Sequence, residues 1–206
     1  MVRQSAIYQN AFIPTYFQNV LLRNLVEEGI DPENLLSGLG LSRSQFAADE
    51  CRISTAQNKR FINNVLTETQ NPHLGWQFGQ EIRITALGIL GYAVMSSESV
   101  GSAVSKLVSF FQIREPSFDL RILDAPSAQG DRILQVDETY DFGEIRYFML
   151  SCMVSAFDNI FRGLTYEASS IRKVELTCEQ PEDWQSQAHK IEFPIVFGSS
   201  ANRLYL

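Results

Sequence analysis

From Val100 onward the apolar residues Val100, Ala103, Val104, Leu107, Val108 and Phe111 fall at the i, i+3, i+4, i+7, i+8, i+11 spacing of one helix face. Ser102, Ser105, Lys106 and Ser109 lie opposite. The spacing predicts an amphipathic helix with one buried side, ended by Pro116 and capped by Ser97. The period then switches to two. Phe118, Leu120 and Ile122 alternate with Asp119 and Arg121, and Leu134 and Val136 alternate with Gln135 and Asp137. A polar loop at 124–131, carrying Pro126 and Gly130, separates the two runs and makes them a hairpin.

Upstream the pattern is helical. Pro14 opens a predicted helix to Glu28, with Phe17, Val20, Leu21 and Leu25 on one stripe and Gly29 as its stop. Asp31-Pro32 starts a short helix. Ser42 with Gln45, and Ser54 with Gln57, carry the spacing of capping boxes. Asn71-Pro72 breaks this layer before a short helix at 73–82. In the next helix, Gly88 and Gly91 share a face that another backbone can approach closely. Downstream, Asp141 and Glu144 mark the start of a long helix from Phe142 to Leu164, whose apolar side carries Ile145, Met149, Cys152, Met153, Ala156 and Ile160. Val174, Leu176 and Cys178 alternate with polar residues as a strand, and Pro181 opens a short helix. Phe193 to Phe197 and Leu204 to Leu206 supply further short strands. The expected fold is α+β, with an N-terminal helical layer plus a small antiparallel sheet packed on one face by a long central helix.

Composition narrows the function class. The chain has 206 residues, 45% of them hydrophobic, which suits one domain over 1–206 with a sizeable core. No apolar run approaches the roughly 20 residues that span a bilayer, and the N-terminus has no secretory pattern, so a cytoplasmic location without membrane attachment is expected. Cys51, Cys152 and Cys178 are widely spaced and odd in number, as reduced thiols are; the last two sit on apolar faces. A formal charge of −7 with no basic stripe argues against direct DNA binding.

Two segments carry a family resemblance. The run Leu87-Gly88-Ile89-Leu90-Gly91-Tyr92, then Met95-Ser96-Ser97 and a helix ending in Phe110-Phe111, resembles the N-terminal, arabinose-binding-like domain of AraC-type transcription regulators. The terminal FGSSANRLYL, Phe197 to Leu206, is similar to the closing segment of that domain, and the likeness extends with interruptions from about Phe17. The resemblance implies a sensory half that binds an unknown small-molecule effector and can also dimerise; an interaction-only dimerisation domain without a small-molecule ligand is the alternative. Its partners would be a second copy in a homodimer and its own C-terminal DNA-binding domain of paired helix-turn-helix motifs, through which alone it would contact DNA. Because the sequence ends on Tyr205-Leu206 within strand-like sequence, it reads as a fragment truncated before that domain; a natural stand-alone domain is the alternative.

The chemistry-bearing residues point the same way. No nucleophile elbow, phosphate loop, dinucleotide fingerprint or zinc motif occurs, and no enzyme activity, cofactor or metal is expected. His73 and His189 are isolated, and a lone histidine is usually a capping or surface residue. Residues 32–50 superficially resemble a helix-turn-helix with Ser42 capping a reading helix. From Pro14 to Arg52, however, three cations (Arg23, Arg43, Arg52) face six anions, and Asp49 and Glu50 would meet phosphates, so a turn between packed helices is expected instead. If the central helices pack over the sheet, Tyr92, Met95, Phe111, Met149 and Met153 converge as an adaptable pocket wall, with Arg114 or Arg146 at its mouth to meet a carboxylate. The same stripe also reads as plain core. A cavity between helices and sheet separates the two readings.

Overall fold

The computed structural model describes residues 12–124, 132–165 and 169–206. A short strand, β1 (Phe12–Pro14), pairs antiparallel with β2 (Arg52–Ser54), placing Ile13 opposite Ile53. Pro14 therefore sits in a strand and does not open the helix, since a two-stranded ribbon leaves an outer edge where its missing N–H is tolerated. Helix α1 (Tyr16–Glu27) follows and ends before Gly29, whose φ of +96° suits glycine. Two single turns come next, α2 (Pro32–Leu35) and α3 (Arg43–Phe46), then α4 (Thr55–Thr69). Both capping boxes form, Ser42 with Gln45 and Ser54 with Gln57.

The helix-turn-helix alternative at 32–50 fails on length. Four residues of α3 extend only about 6 Å, and Phe46 is fully buried with its ring 5.2 Å from that of Phe61, so the turn is pinned into the core and presents no reading helix.

Helix α5 (Leu74–Glu81) leads through a 3-10 turn (Ile84–Leu87) into α6 (Ile89–Met95) and α7 (Val100–Arg114). Two local expectations change here. Gly88 does not share a helix face with Gly91; its φ of +61° breaks the chain between the 3-10 turn and α6. Gly91 does mark a close approach, because a Cβ there would lie 2.1 Å from the Ile84 carbonyl oxygen. Ser99, not Ser97, caps α7 by accepting from the Ser102 N–H at 3.2 Å, while the Ser97 hydroxyl donates back to Ala93 O at 3.1 Å.

The hairpin forms from β3 (Phe118–Asp124) and β4 (Arg132–Glu138), with Leu120 opposite Val136; the rest of its predicted loop, 125–131, lies outside the described residues. A 3-10 turn (Gly143–Ile145) enters the long helix α8 (Arg146–Thr165). Then come β5 (Lys173–Glu175), α9 (Gln185–Ala188), β6 (Ile195–Val196) and β7 (Asn202–Tyr205). The sheet order is β3-β4-β7-β5-β6. It is antiparallel except at β5–β6, which pair in parallel because the segment through α9 returns the chain to its starting direction. The α+β class stands, with this one parallel edge and the separate β1–β2 ribbon added.

Helix α8 is the core's axis, and α5 lies unusually close to it. A Cβ on Gly75 would sit 2.2 Å from Ser151 Oγ and 2.5 Å from Phe148 O; one on Gly79 would sit 2.5 Å from Cys152 O and 2.6 Å from Ser155 Cβ. The two glycines, four apart, thus form a groove for the small residues of α8. Polar ties lock the crossing. Ser155 Oγ donates to Trp76 O at 2.7 Å, and Asn159 Nδ2 donates to Gln80 O and Ile82 O at 2.9 and 3.0 Å.

Candidate functional site: a central apolar cavity with one polar end

Between α1, α4, α5, α7 and α8 the packing leaves a cavity of about 70 Å³. Helix α8 supplies much of the wall through Phe148, Met149, Cys152, Met153, Ala156 and Phe157, and α7 adds Phe111. On the other side stand Phe17 and Leu21 of α1, Ile62 of α4 and Phe78 of α5. Two of its aromatic walls pack together, the rings of Phe111 and Phe157 lying 5.3 Å apart and tilted by 37°. Cys152 keeps some accessible surface although it lies deep in the fold, and its place in the wall shows where that surface faces. Burial pushes its thiol far above the ordinary range.

Among the described residues, only Gln18 and Glu115 bring a strongly polar side chain to this wall, and both are buried. Gln18 Nε2 donates to Asn58 Oδ1 at 3.0 Å, and Asn58 Nδ2 donates to the Tyr140 hydroxyl at 3.0 Å. Tyr140 in turn lies near enough to Ser117 and Glu115 to feel both, and burial pushes its phenol up to about 12. The Glu115 carboxylate accepts from the Ser117 N–H at 3.1 Å, yet burial, the dominant effect, raises its pKa and favours the neutral acid. These residues from α1, α4, the end of α7 and the loop after β4 make one polar end. Its hydrogen bonding is incomplete: Gln18 Oε1 is buried without a partner.

Two surface clefts are roomier, about 260 and 300 Å³. In the first, the charges answer one another: Arg162 bridges Asp158 at 2.9 Å and Glu192 at 3.0 Å. The central cavity is the one whose wall contains a buried acceptor short of a partner, Gln18 Oε1.

Residues 29–206 match the family described as the arabinose-binding domain of AraC transcription regulators, N-terminal. The chain belongs to this family. A curated relative, the ornithine utilization regulator of Pseudomonas aeruginosa, is 22% identical over 201 residues, covering 97% of this chain and 56% of the regulator. The crystal structure of the transcriptional regulator CdpR from Pseudomonas aeruginosa superposes with a TM-score of 0.64 at 17% identity, over 92% of this chain and 54% of that one, and so supports the fold. This chain spans about half the length of the relatives it matches.

Within this AraC-type regulatory domain, Phe111, Met149 and Met153 come together in the cavity wall. Tyr92 and Met95 do not join them; they are 66% and 54% exposed. The reason is helical phase: Gly91 and Val94 face inward on α6, which turns their neighbours outward. Arg146 is held away by Glu138 (2.9 Å) and Asp141 (2.8 Å). Arg114 stacks over the Tyr16 ring at 4.1 Å, with Nε buried and unpartnered. Gln18, Asn58 and Glu115 escaped sequence reasoning, although a Glu just before Pro116, on a helix end flanked by Phe111 and Phe118, was the available signal.

His73 also departs from expectation. It is buried rather than superficial, its Nδ1 2.8 Å from the Tyr147 hydroxyl and its Nε2 3.0 Å from Asp183. Trp76 Nε1 donates to the same hydroxyl at 2.9 Å, so the histidine ties α5 to α8 and to the segment before α9. His189 is exposed, and no helix among the described residues is long and apolar enough to cross a membrane.

Proposed function

We propose that this domain senses a small-molecule effector in the central cavity and transmits its occupancy to a DNA-binding half of the whole regulator. The observation that carries this reading is the cavity's position. Its wall draws on the N-terminal helices and on α7 and α8 together, so filling it favours one arrangement of those elements over another. A ligand shifts an equilibrium only by its differential affinity for the two arrangements. This chain matches only 56% and 54% of these longer regulators, which supports a separate DNA-binding part. Ornithine and arabinose, from the names of a relative and of the family, join the effectors to be tested.

Native mass spectrometry of the protein isolated from its host tests the reading. A retained low-mass compound, lost in Met153→Trp where the indole fills the cavity, is the expected result. A bare polypeptide mass, together with a target promoter whose response is unchanged by Met153→Trp, would overturn it.

Homodimerisation is a second reading, favoured by an apolar surface on the packed pair α6 and α7. Ile89 is 89% exposed and Ile113 75%, with Tyr92 and Phe110 also exposed. Sedimentation equilibrium across a hundredfold concentration range separates the cases: a rising mass that Ile89→Glu abolishes supports dimerisation, and a constant monomer mass rejects it.

A further inference from the structure

The family description suggests a sugar, but the walls of this cavity have a different chemistry. We propose that the cavity takes a small uncharged molecule, mostly hydrocarbon, whose single hydroxyl or carboxamide head meets Glu115 and Gln18. The inference rests on the effector-sensing reading above and specifies its ligand.

Three observations carry it. The first is polarity. A sugar offers several hydroxyls and needs several partners, whereas the wall is nearly all aromatic, Met and aliphatic surface, with its polar groups confined to one end. Second, no Lys or Arg is among the lining residues, so a carboxylate would enter without a counter-ion. An ammonium would have Glu115 as its one acidic partner, and stripping water from both usually offsets their attraction. Third, the polar end matches a neutral head. Gln18 Oε1 is a buried acceptor without a donor, and Glu115 in the same wall has its pKa raised by burial, which favours the neutral acid, a group that can donate. A hydroxyl or primary amide both donates and accepts, as that set requires.

Size sets the scale. Scaling from the roughly 150 Å³ apolar cavity that holds benzene, the present volume accepts about three non-hydrogen atoms as it stands. Probes with branched four-carbon skeletons are larger than this, and they enter as the flexible side chains of Met149 and Met153 in the wall give way.

The test uses the 206-residue chain with methyl-labelled Met149 and Met153, followed by NMR at neutral pH. Xenon probes the cavity alone; isobutanol, isobutyramide, isobutyrate and isobutylamine share one tail and differ in the head. The expected result is that xenon, isobutanol and isobutyramide shift both methionine methyls, and the two organic probes also shift the Gln18 side-chain amide. Glu115→Leu should weaken isobutyramide about fivefold to tenfold, the worth of one buried hydrogen bond, and leave xenon unaffected. Should that variant not fold, Glu115→Gln decides: it keeps a neutral hydrogen-bonding group, so isobutyramide affinity stays within about twofold. Tighter binding of isobutyrate or isobutylamine, or binding of xenon alone, overturns the ligand class and leaves effector sensing standing. Silence toward every probe, xenon included, removes the cavity and with it the reading on which this rests.

Discussion

Replacing Gly79 by alanine tests the central packing more sharply than any truncation. In an exposed helix interior the change stabilises by about 1 kcal/mol, because alanine loses less backbone freedom on folding. At Gly79 the new methyl would lie 2.5 Å from the Cys152 carbonyl oxygen, 2.6 Å from Ser155 Cβ and 2.9 Å from Ala156 N. Two of those atoms are backbone, so no rotamer change relieves the contact. To restore ordinary separation α5 must move off α8 by about 1 Å, which forfeits a quarter to a half of the dispersion energy of the atom pairs across the contact. The same shift stretches the Ser155–Trp76 bond, now 2.7 Å, and the paired bonds from Asn159. Overpacking of this kind costs about 1–3 kcal/mol, and one weakened buried hydrogen bond adds about 1 more. After the propensity gain, the expected net loss is about 1–3 kcal/mol.

Urea unfolding followed by tryptophan fluorescence measures it directly, since Trp76 lies on α5 itself. Gly163→Ala on α8 is the internal control: nothing lies within 4 Å of its Cβ position, so a gain of about 0.5–1 kcal/mol is expected. Opposite signs for one chemical change would establish the close approach. If Gly79→Ala matches wild type within about 0.5 kcal/mol, or moves in the same direction as Gly163→Ala, the reasoning about this crossing is refuted.

Glu115 and the cysteines give two further outcomes. The Glu115 carboxyl titrates above its ordinary value in the folded protein, so between that value and the raised one the unfolded chain has lost the proton while the folded one keeps it. Stability from this group is therefore fully present below the ordinary carboxylate pKa and falls as pH rises, at no more than about 1.4 kcal/mol per pH unit. Glu115→Gln should gain on wild type as pH increases from 4 to 8 in urea titrations; a constant difference would show that the carboxyl is not held neutral. For the thiols, burial pushes Cys178 up to about 11 and Cys152 higher still. Both should react with a charged disulfide reagent at pH 8 only after denaturant is added, and rapid labelling of either in native protein would contradict the burial described.

Much of the architecture was legible in the linear pattern because helix and strand periods are local. The α7 stripe, the β3–β4 alternation and both capping boxes depend on residues within a few positions of one another, and each appears in the structure. Local signals misled where a tertiary partner offered a better bond. Pro14 paired with Arg52 of β2, far along the chain, whereas the cap assigned to Ser97 moved only to its neighbour Ser99. The family likewise was readable from diffuse apolar order, since that order records which faces must be buried.

What the sequence alone could not place was the polar end of the cavity. Gln18, Asn58, Glu115 and Tyr140 lie on segments far apart in the chain, and hydrogen bonds spanning 40 and 82 residues link Gln18, Asn58 and Tyr140. Each is unremarkable in its own helix or loop, where a polar residue is read as solvated. Only the packing of α1, α4 and α7 around α8 removes water from them and turns ordinary side chains into a buried set with an open acceptor. Amphipathic spacing thus determined which faces are apolar, a property of neighbours; the tertiary fold decided where those faces fail to fill space, a property of distant segments meeting.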